Sequence, residues 1–299
     1  MNKPKETFLF DNNKLKKYNT SFKLSSWILR FIVKPYVFLN FHISIISVGI
    51  VYLFSVYTPQ KIESNFYLFI LASTFAYYNF HWFFSIKNPV LEREKWASKF
   101  RFVLLIASLT ALVYAGFLLL KNPGWTIYFI PTAISGIGYT IFSVFLFQKF
   151  TPRFKAFYIC VFWIYTLVIC PILIFGIKPN VHYSYAISAL LIFCATLIIT
   201  IAFEIRDLTK NEFNASPETL SQEERKLKRL RNEILFLLLI VSSFSFTISL
   251  LVGCIQLVVY ILFSASVLII KPKHSWFAYD FILDTFLVLS VASNLYFIL

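Results

Sequence analysis

Charged side chains are scarce in this chain: 14% of its 299 residues are Asp, Glu, Lys or Arg, against 59% hydrophobic, with a mean hydropathy of +0.72. That balance excludes a water-soluble globule of this length, which would need far more polar surface to cover it. Cysteine is equally sparse. Cys160, Cys170, Cys194 and Cys254 lie inside apolar stretches with no close pairing and no metal-binding spacing, so they read as buried small apolar residues. The chain has no soluble domain, no linker, no low-complexity tract and no internal repeat of the kind common in transporters. A cleavable leader is not expected, because the first 26 residues are polar and Lys-rich and the first apolar segment is long enough to stay in a bilayer. The formal charge of +14 does not mark a nucleic-acid partner, because the basic residues flank apolar spans, where anionic lipid head groups are their simplest contact.

What the chain does have is long apolar runs. A membrane-crossing helix needs about 20 mainly apolar residues. Windows of that length, divided at charged, Pro, Asn and Gly breaks, predict an all-α membrane bundle of about nine helices near 36–57, 65–86, 100–120, 125–147, 154–177, 183–204, 233–252, 254–270 and 276–298. The run 234–270 is too long for one span, and Gly253 is the expected turn between the seventh and eighth. Of the 28 basic residues, all but Lys61, Lys121 and Lys178 fall in the N-terminal segment up to Lys34 or in the segments 87–101, 148–155, 205–232 and 271–273, around the even-numbered loops. Lys and Arg accumulate on the cytoplasmic side. The expectation is therefore an integral multi-pass protein of a bacterial inner membrane, with a cytoplasmic tail 1–26, a single helical domain 27–299, a cytoplasmic loop 205–232 and an external C-terminus.

Within that loop, Ser216-Pro217-Glu218 reads as a helix start with Pro at the first position, and Ser221-Gln222-Glu223-Glu224 as a capping box. A short amphipathic helix would follow, with Arg225, Lys226, Lys228, Arg229 and Arg231 turned to lipid phosphates or an anionic substrate. Asn40, His42, Asn79, His81, Asp280 and Asp284 are polar groups inside spans, where such residues face the bundle interior or a wet cavity. Asp280 and Asp284 share a helical face, so they either pair with a neighbouring cation or line a polar cavity.

The densest polar cluster is Phe203-Glu204-Ile205-Arg206-Asp207-Leu208-Thr209-Lys210-Asn211, where the sixth span meets the membrane surface. On a helix, Glu204, Asp207 and Asn211 fall on one face. Three oxygen-bearing side chains so placed suit a hard cation such as Mg²⁺, or a diphosphate held through one.

This pattern resembles the UbiA superfamily of membrane prenyltransferases, which have nine spans and two Asp-rich motifs, one after span two and one after span six. The second motif often reads Asp-x-Arg-Asp-x-x-x-Asp followed by Thr-Leu; here the same place reads Glu204-Ile205-Arg206-Asp207-Leu208-Thr209-Lys210-Asn211, then Thr219-Leu220. The resemblance implies Glu204, Asp207 and Asn211 as Mg²⁺ ligands, and Arg206 as a partner of the diphosphate or of a neighbouring carboxylate. It also implies Lys149, Arg153 and Lys155 as basic residues near the diphosphate. The first motif departs from the family. Where the family has Asn-Asp-x-x-Asp, this chain reads Tyr78-Asn79-Phe80-His81-Trp82-Phe83-Phe84, with Phe80 and Phe83 in the acidic positions. The superfamily includes branches with Tyr-Asn-x-His after span two and Phe-Asp/Glu-Ile-Arg-Asp after span six, and the chain is most similar to those.

The expected function is transfer of an isoprenyl group from an isoprenoid diphosphate to an aromatic or lipid-like hydrophobic acceptor. Glu204, Arg206 and Asp207 would act at the reacting centre, and Asn79, His81, Lys149, Arg153, Lys155, Asp280 and Asp284 would line the substrate site. The aromatic residues, 20% of the chain, could shield an allylic cation or simply fill lipid-facing packing. Two alternatives remain open: a protein that keeps the fold but serves in lipid binding or assembly, and a secondary transporter using Asp280, Asp284 and Glu204.

Overall fold

The computed structural model of the protein describes residues 32–86, 89, 92–145, 152–178, 182–208, 217–247 and 249–270, together with positions 282, 283, 285, 286, 289 and 292. Lys149, Asn211, Asp280 and Asp284, and nearly all of the expected ninth span, lie outside the described residues. Residues Val37–Leu299 form one compact unit and Met1–Tyr36 another, of which only positions 32–36, in helical conformation, are described.

Among the described residues every regular element is helical. We number the longer helices α1 (Phe41–Phe54), α2 (Ser64–Ser85), α3 (Glu92–Lys99), α4 (Arg101–Lys121), α5 (Pro123–Phe145), α6 (Pro152–Phe175), α7 (His182–Leu208), α8 (Pro217–Ser243) and α9 (Leu250–Ile269). Five segments are long and apolar enough to cross a membrane: α4, α6, α7, Ser221–Thr247 and α9. α1, with the turn that extends it to Tyr57, is apolar but shorter. α2 has the length, at 22 residues, but carries Asn, Tyr, Ser and His along it and is not among the five.

α7 is the axis of the bundle: 72% of its apolar window is buried, against 22% for α4 and 28% for α9. It packs chiefly on α6 and α8, while α2 packs on α1 and α4, and α5 touches both α2 and α6. The α6–α7 contact is close because its residues are small. Ala156, Cys160 and Ala195 are fully buried, the Cys160 thiol donates to the Phe193 carbonyl at 3.3 Å, and the Thr200 hydroxyl approaches the Ala156 carbonyl at 3.4 Å. Small residues let helix backbones approach where lipid offers no hydrophobic drive between them. α6 contains a wide turn at Tyr165–Ile169, directly before Cys170-Pro171. Pro171 has no N–H for the preceding turn, and the wider turn absorbs that break.

Three expectations change. The break between the seventh and eighth spans is not at Gly253 but at the 3₁₀ turn Phe244–Thr247 and Ser249, whose hydroxyl caps α9 by accepting from the Val252 N–H at 3.1 Å. Gly253 lies inside α9, under the Phe246 ring; a Cβ there would stand 2.3 Å from that ring, so the glycine serves packing. The loop helix and the seventh span are one helix, beginning at Pro217 as the Pro signal predicts and running unbroken to Ser243. Ser221 is thus inside α8, and the carboxylates beside it do not close a capping box; they pair forward with Lys226 and Lys228 instead. Finally, Cys160, Cys170 and Cys194 are buried, but Cys254 is exposed on the outer face of α9.

Candidate functional site

The expected site residues on α2 separate. Asn79 and His81 are two positions apart, about 200° around a helix, and so face opposite ways. Asn79 is fully buried, and its amide makes three bonds: it accepts from Asn40 Nδ2 at 2.8 Å and donates to the carbonyls of Leu39 at 3.0 Å and Phe75 at 2.8 Å. Asn40, left-handed at φ 63° where α1 begins, also accepts from the guanidinium of Arg93, which lies 4.7 Å over the Trp82 ring. Asn79 therefore ties α2 to the turn that leads into α1. His42, on the next turn, has Thr285 Oγ1 at 3.4 Å from its Nε2.

His81 faces α5 and α6. There a cavity of about 90 Å³ is lined by Tyr77, Tyr78 and His81 of α2, Tyr139 of α5, and Tyr158, Ile159, Phe162 and Trp163 of α6. Its walls are ordered by ring contacts and hydrogen bonds. Tyr139 stacks on Tyr158 at 5.5 Å, His81 lies 5.4 Å from Tyr139, Trp163 Nε1 donates to Tyr78 Oη at 2.8 Å, and Tyr158 donates to the Ser135 carbonyl at 2.9 Å. Tyr77 reaches its place because Gly136 has no side chain: a Cβ there would meet the ring at 3.1 Å.

Charge gathers beside this aromatic space. Lys155 Nζ lies 2.8 Å from Glu204 Oε1, joining α6 to α7. Glu204 is nearly buried at 6% side-chain exposure, whereas Lys155 keeps 30%. One turn on, Arg206 Nε meets Asp207 Oδ1 at 3.0 Å, and its guanidinium lies over the Phe203 ring at 4.9 Å. His81 is within electrostatic reach of Lys155, and Tyr139 of Lys155, Glu204 and Asp207. Helix spacing explains the convergence on α6, since Lys155 precedes Tyr158 and Ile159 by three and four positions. Arg153 stands farther out, 4.0 Å from Glu223 of α8.

The structure thus brings His81, Lys155, Glu204, Arg206 and Asp207 together and sends Asn79 elsewhere. It adds Tyr77, Tyr139, Tyr158 and Trp163, which sequence reasoning did not single out. Their signal was there in spacing: Tyr77 to His81 at i, i+4, and Lys155 to Tyr158 at i, i+3. The basic residues of α8 are in part taken up by its own acids, with Lys226 on Glu223 at 2.7 Å, Lys228 on Glu224 at 2.6 Å and Arg229 on Glu233 at 2.9 Å.

The expected first-motif positions hold no ligand. Phe80 packs on Phe84 at 4.7 Å, Phe83 packs on Phe84 at 4.9 Å, and the Arg101 guanidinium lies 4.6 Å over Phe83. Among the described residues no group of three or more His, Cys, Asp and Glu side chains is placed to hold a metal ion. The two carboxylates of the cluster, Glu204 and Asp207, each meet a side-chain cation. Among the described residues, which do not include Asn211, these two paired carboxylates alone fall short of the near-octahedral set of oxygen ligands that Mg²⁺ takes.

Comparison with protein families, with curated proteins and with solved structures finds no match to this chain.

Proposed function

We propose that this is an intramembrane prenyltransferase of the UbiA kind, with nine spans, moving an isoprenyl group from an isoprenoid diphosphate to a hydrophobic acceptor. The observation that carries the reading is the meeting of His81, Tyr139, Lys155, Glu204 and Asp207 from four helices beside one aromatic cavity. An apolar tail would lie between helices and the diphosphate near Lys155, Arg206 and Arg153, a division that suits an amphipathic ligand. In the transfer, the C–O bond of the donor breaks with its electron pair leaving on the diphosphate. An electron pair of the acceptor forms the new bond to the allylic carbon, and the acceptor's proton is released. Positive charge developing on that carbon would face the rings of Tyr77, Tyr139, Tyr158 and Trp163, and cationic side chains would stabilise the departing diphosphate. A cytoplasmic N-terminus in a bacterial inner membrane belongs to the same proposal and is supported by the distribution of basic residues.

The test is incorporation of label from geranyl, farnesyl and geranylgeranyl diphosphate into lipid-soluble products by purified protein mixed with a membrane lipid extract. Incorporation by the unaltered chain that is lost in Asp207→Ala supports transfer; none with any donor counts against it.

A second reading, a lipid-binding protein that has lost the reaction, is favoured by the packing of Phe80 and Phe83 where the family carries acids. It expects incorporation only in the doubly restored Phe80→Asp, Phe83→Asp variant.

A further inference from the structure

We infer that the anionic head of the ligand is held by side-chain cations, with the Lys155 ammonium standing where a divalent metal would otherwise bridge Glu204 to a diphosphate, so that binding needs no metal. This rests on the proposed function for the identity of the ligand. It goes beyond it in naming what grips the head group, and it departs from the metal-bridged binding that the resemblance implies.

Glu204 has Oε1 at 2.8 Å from Lys155 Nζ and only 6% of its side chain exposed, so its negative charge is already matched from within the bundle. A cation binding there would displace an ammonium from a nearly buried carboxylate, against a strong local attraction. Asp207, with 24% of its side chain exposed, pairs with its neighbour Arg206 at 3.0 Å.

Lys155 is also equipped for the task. An ammonium has three donors; Glu204 takes one, which leaves two for phosphate oxygens. The side chain keeps 30% exposure, so an anion can reach it without unfolding the pair. It precedes Tyr158 and Ile159 of the cavity wall by three and four positions on α6, so an anion on Lys155 would have its attached carbon chain beside the cavity.

The experiment is thermal unfolding of the full chain in detergent with farnesyl diphosphate, once in EDTA and once with Mg²⁺. Farnesol and inorganic diphosphate serve as the arms that separate tail from head. The expected result is a rise of about 5 °C at saturating ligand in EDTA. Mg²⁺ leaves that rise unchanged, and each half-ligand alone gives a smaller one. Lys155→Met could fail to fold because it strands Glu204, so the decisive variant is Lys155→Met with Glu204→Gln, which removes both charges together. It should keep its own midpoint near that of the unaltered chain and bind at least about 30-fold more weakly, as expected when a hydrogen-bonded charge partner is removed. A rise that requires Mg²⁺ overturns the inference while leaving the transfer reading intact. A rise undiminished in the double variant overturns it as well, since the anion would be held elsewhere. Absence of any rise, with and without Mg²⁺, overturns the inference and the reading of the ligand together.

Discussion

Asn40 and Asn79 are joined amide to amide at 2.8 Å, one at the left-handed residue that opens α1 and the other buried in the C-terminal third of α2. The bond matters because both side chains have further partners: Arg93 reaches Asn40, and Asn79 donates to two backbone carbonyls.

Asn79→Asp, which puts an acid one position before the place where the resembling family carries one, should therefore destabilise the protein. A carboxylate there loses both donors and faces the carbonyls of Leu39 and Phe75. Stranding buried polar groups at about 1–3 kcal/mol each leads us to expect a loss of about 3 kcal/mol, read as a lower unfolding midpoint in detergent. Asn40→Gly should cost much less than Asn79→Asp, since glycine takes the left-handed backbone without strain. Equal losses from the two substitutions would show that the Asn79 bonds are not what holds α1 to α2.

The Lys155–Glu204 pair should respond unevenly to being broken. Lys155→Met leaves a carboxylate at 6% exposure with its cation gone, whereas Glu204→Gln leaves a lysine that is 30% exposed and can extend its ammonium to water. We expect about 3 kcal/mol lost in the first and about 1 kcal/mol in the second, in the range for a nearly buried pair and a partly exposed one. Chemical denaturation of the two single variants and of the double variant measures the difference. A larger loss from Glu204→Gln would reverse the assignment of which partner depends on the other.

Gly136 should control the cavity rather than the fold. Gly136→Ala brings a Cβ to 3.1 Å from the Tyr77 ring, which must yield by a few tenths of an ångström. Gly136→Leu pushes that ring into a space of only about 90 Å³. The leucine variant should unfold within a few degrees of the unaltered chain yet lose the stabilisation given by farnesyl diphosphate. Full stabilisation in Gly136→Leu would separate the ligand from the cavity.

Gly253→Val should be among the most damaging single changes in α9. Its first added atom would stand 2.3 Å from Phe246, an overlap that demands movement of the 3₁₀ turn. Overpacking of this kind costs about 1–3 kcal/mol. Phe246→Ala in the same chain removes the opposing ring, so the double variant should recover most of what the single one loses. Failure to recover would place the strain in the α9 backbone.

The sequence made the helices legible because apolar length is a one-dimensional property. The expected 65–86, 154–177 and 254–270 lie close to the observed α2, α6 and α9. It misplaced the turn at Gly253 because a glycine that accommodates a ring across a helical hairpin looks, in one dimension, like a glycine that ends a helix. It joined Asn79 to His81 because the motif that contains them is contiguous, while a helix turns neighbours apart. The cluster of Lys155, Glu204, Arg206 and Asp207 was visible as charge at span ends. The aromatic walls were not, because a tyrosine that lines a cavity and one that faces lipid have the same letter, and only the crossing of α2, α5 and α6 tells them apart.

The outward position of Cys254 has a practical side. With Cys160, Cys170 and Cys194 buried, Cys254 is the one exposed thiol of the four. A maleimide-linked fluorophore or spin label would attach there without any engineered cysteine. Quenchers placed at different depths of a bilayer would then read where along the membrane normal that residue sits, which converts one exposed side chain into a ruler for the orientation of the whole bundle.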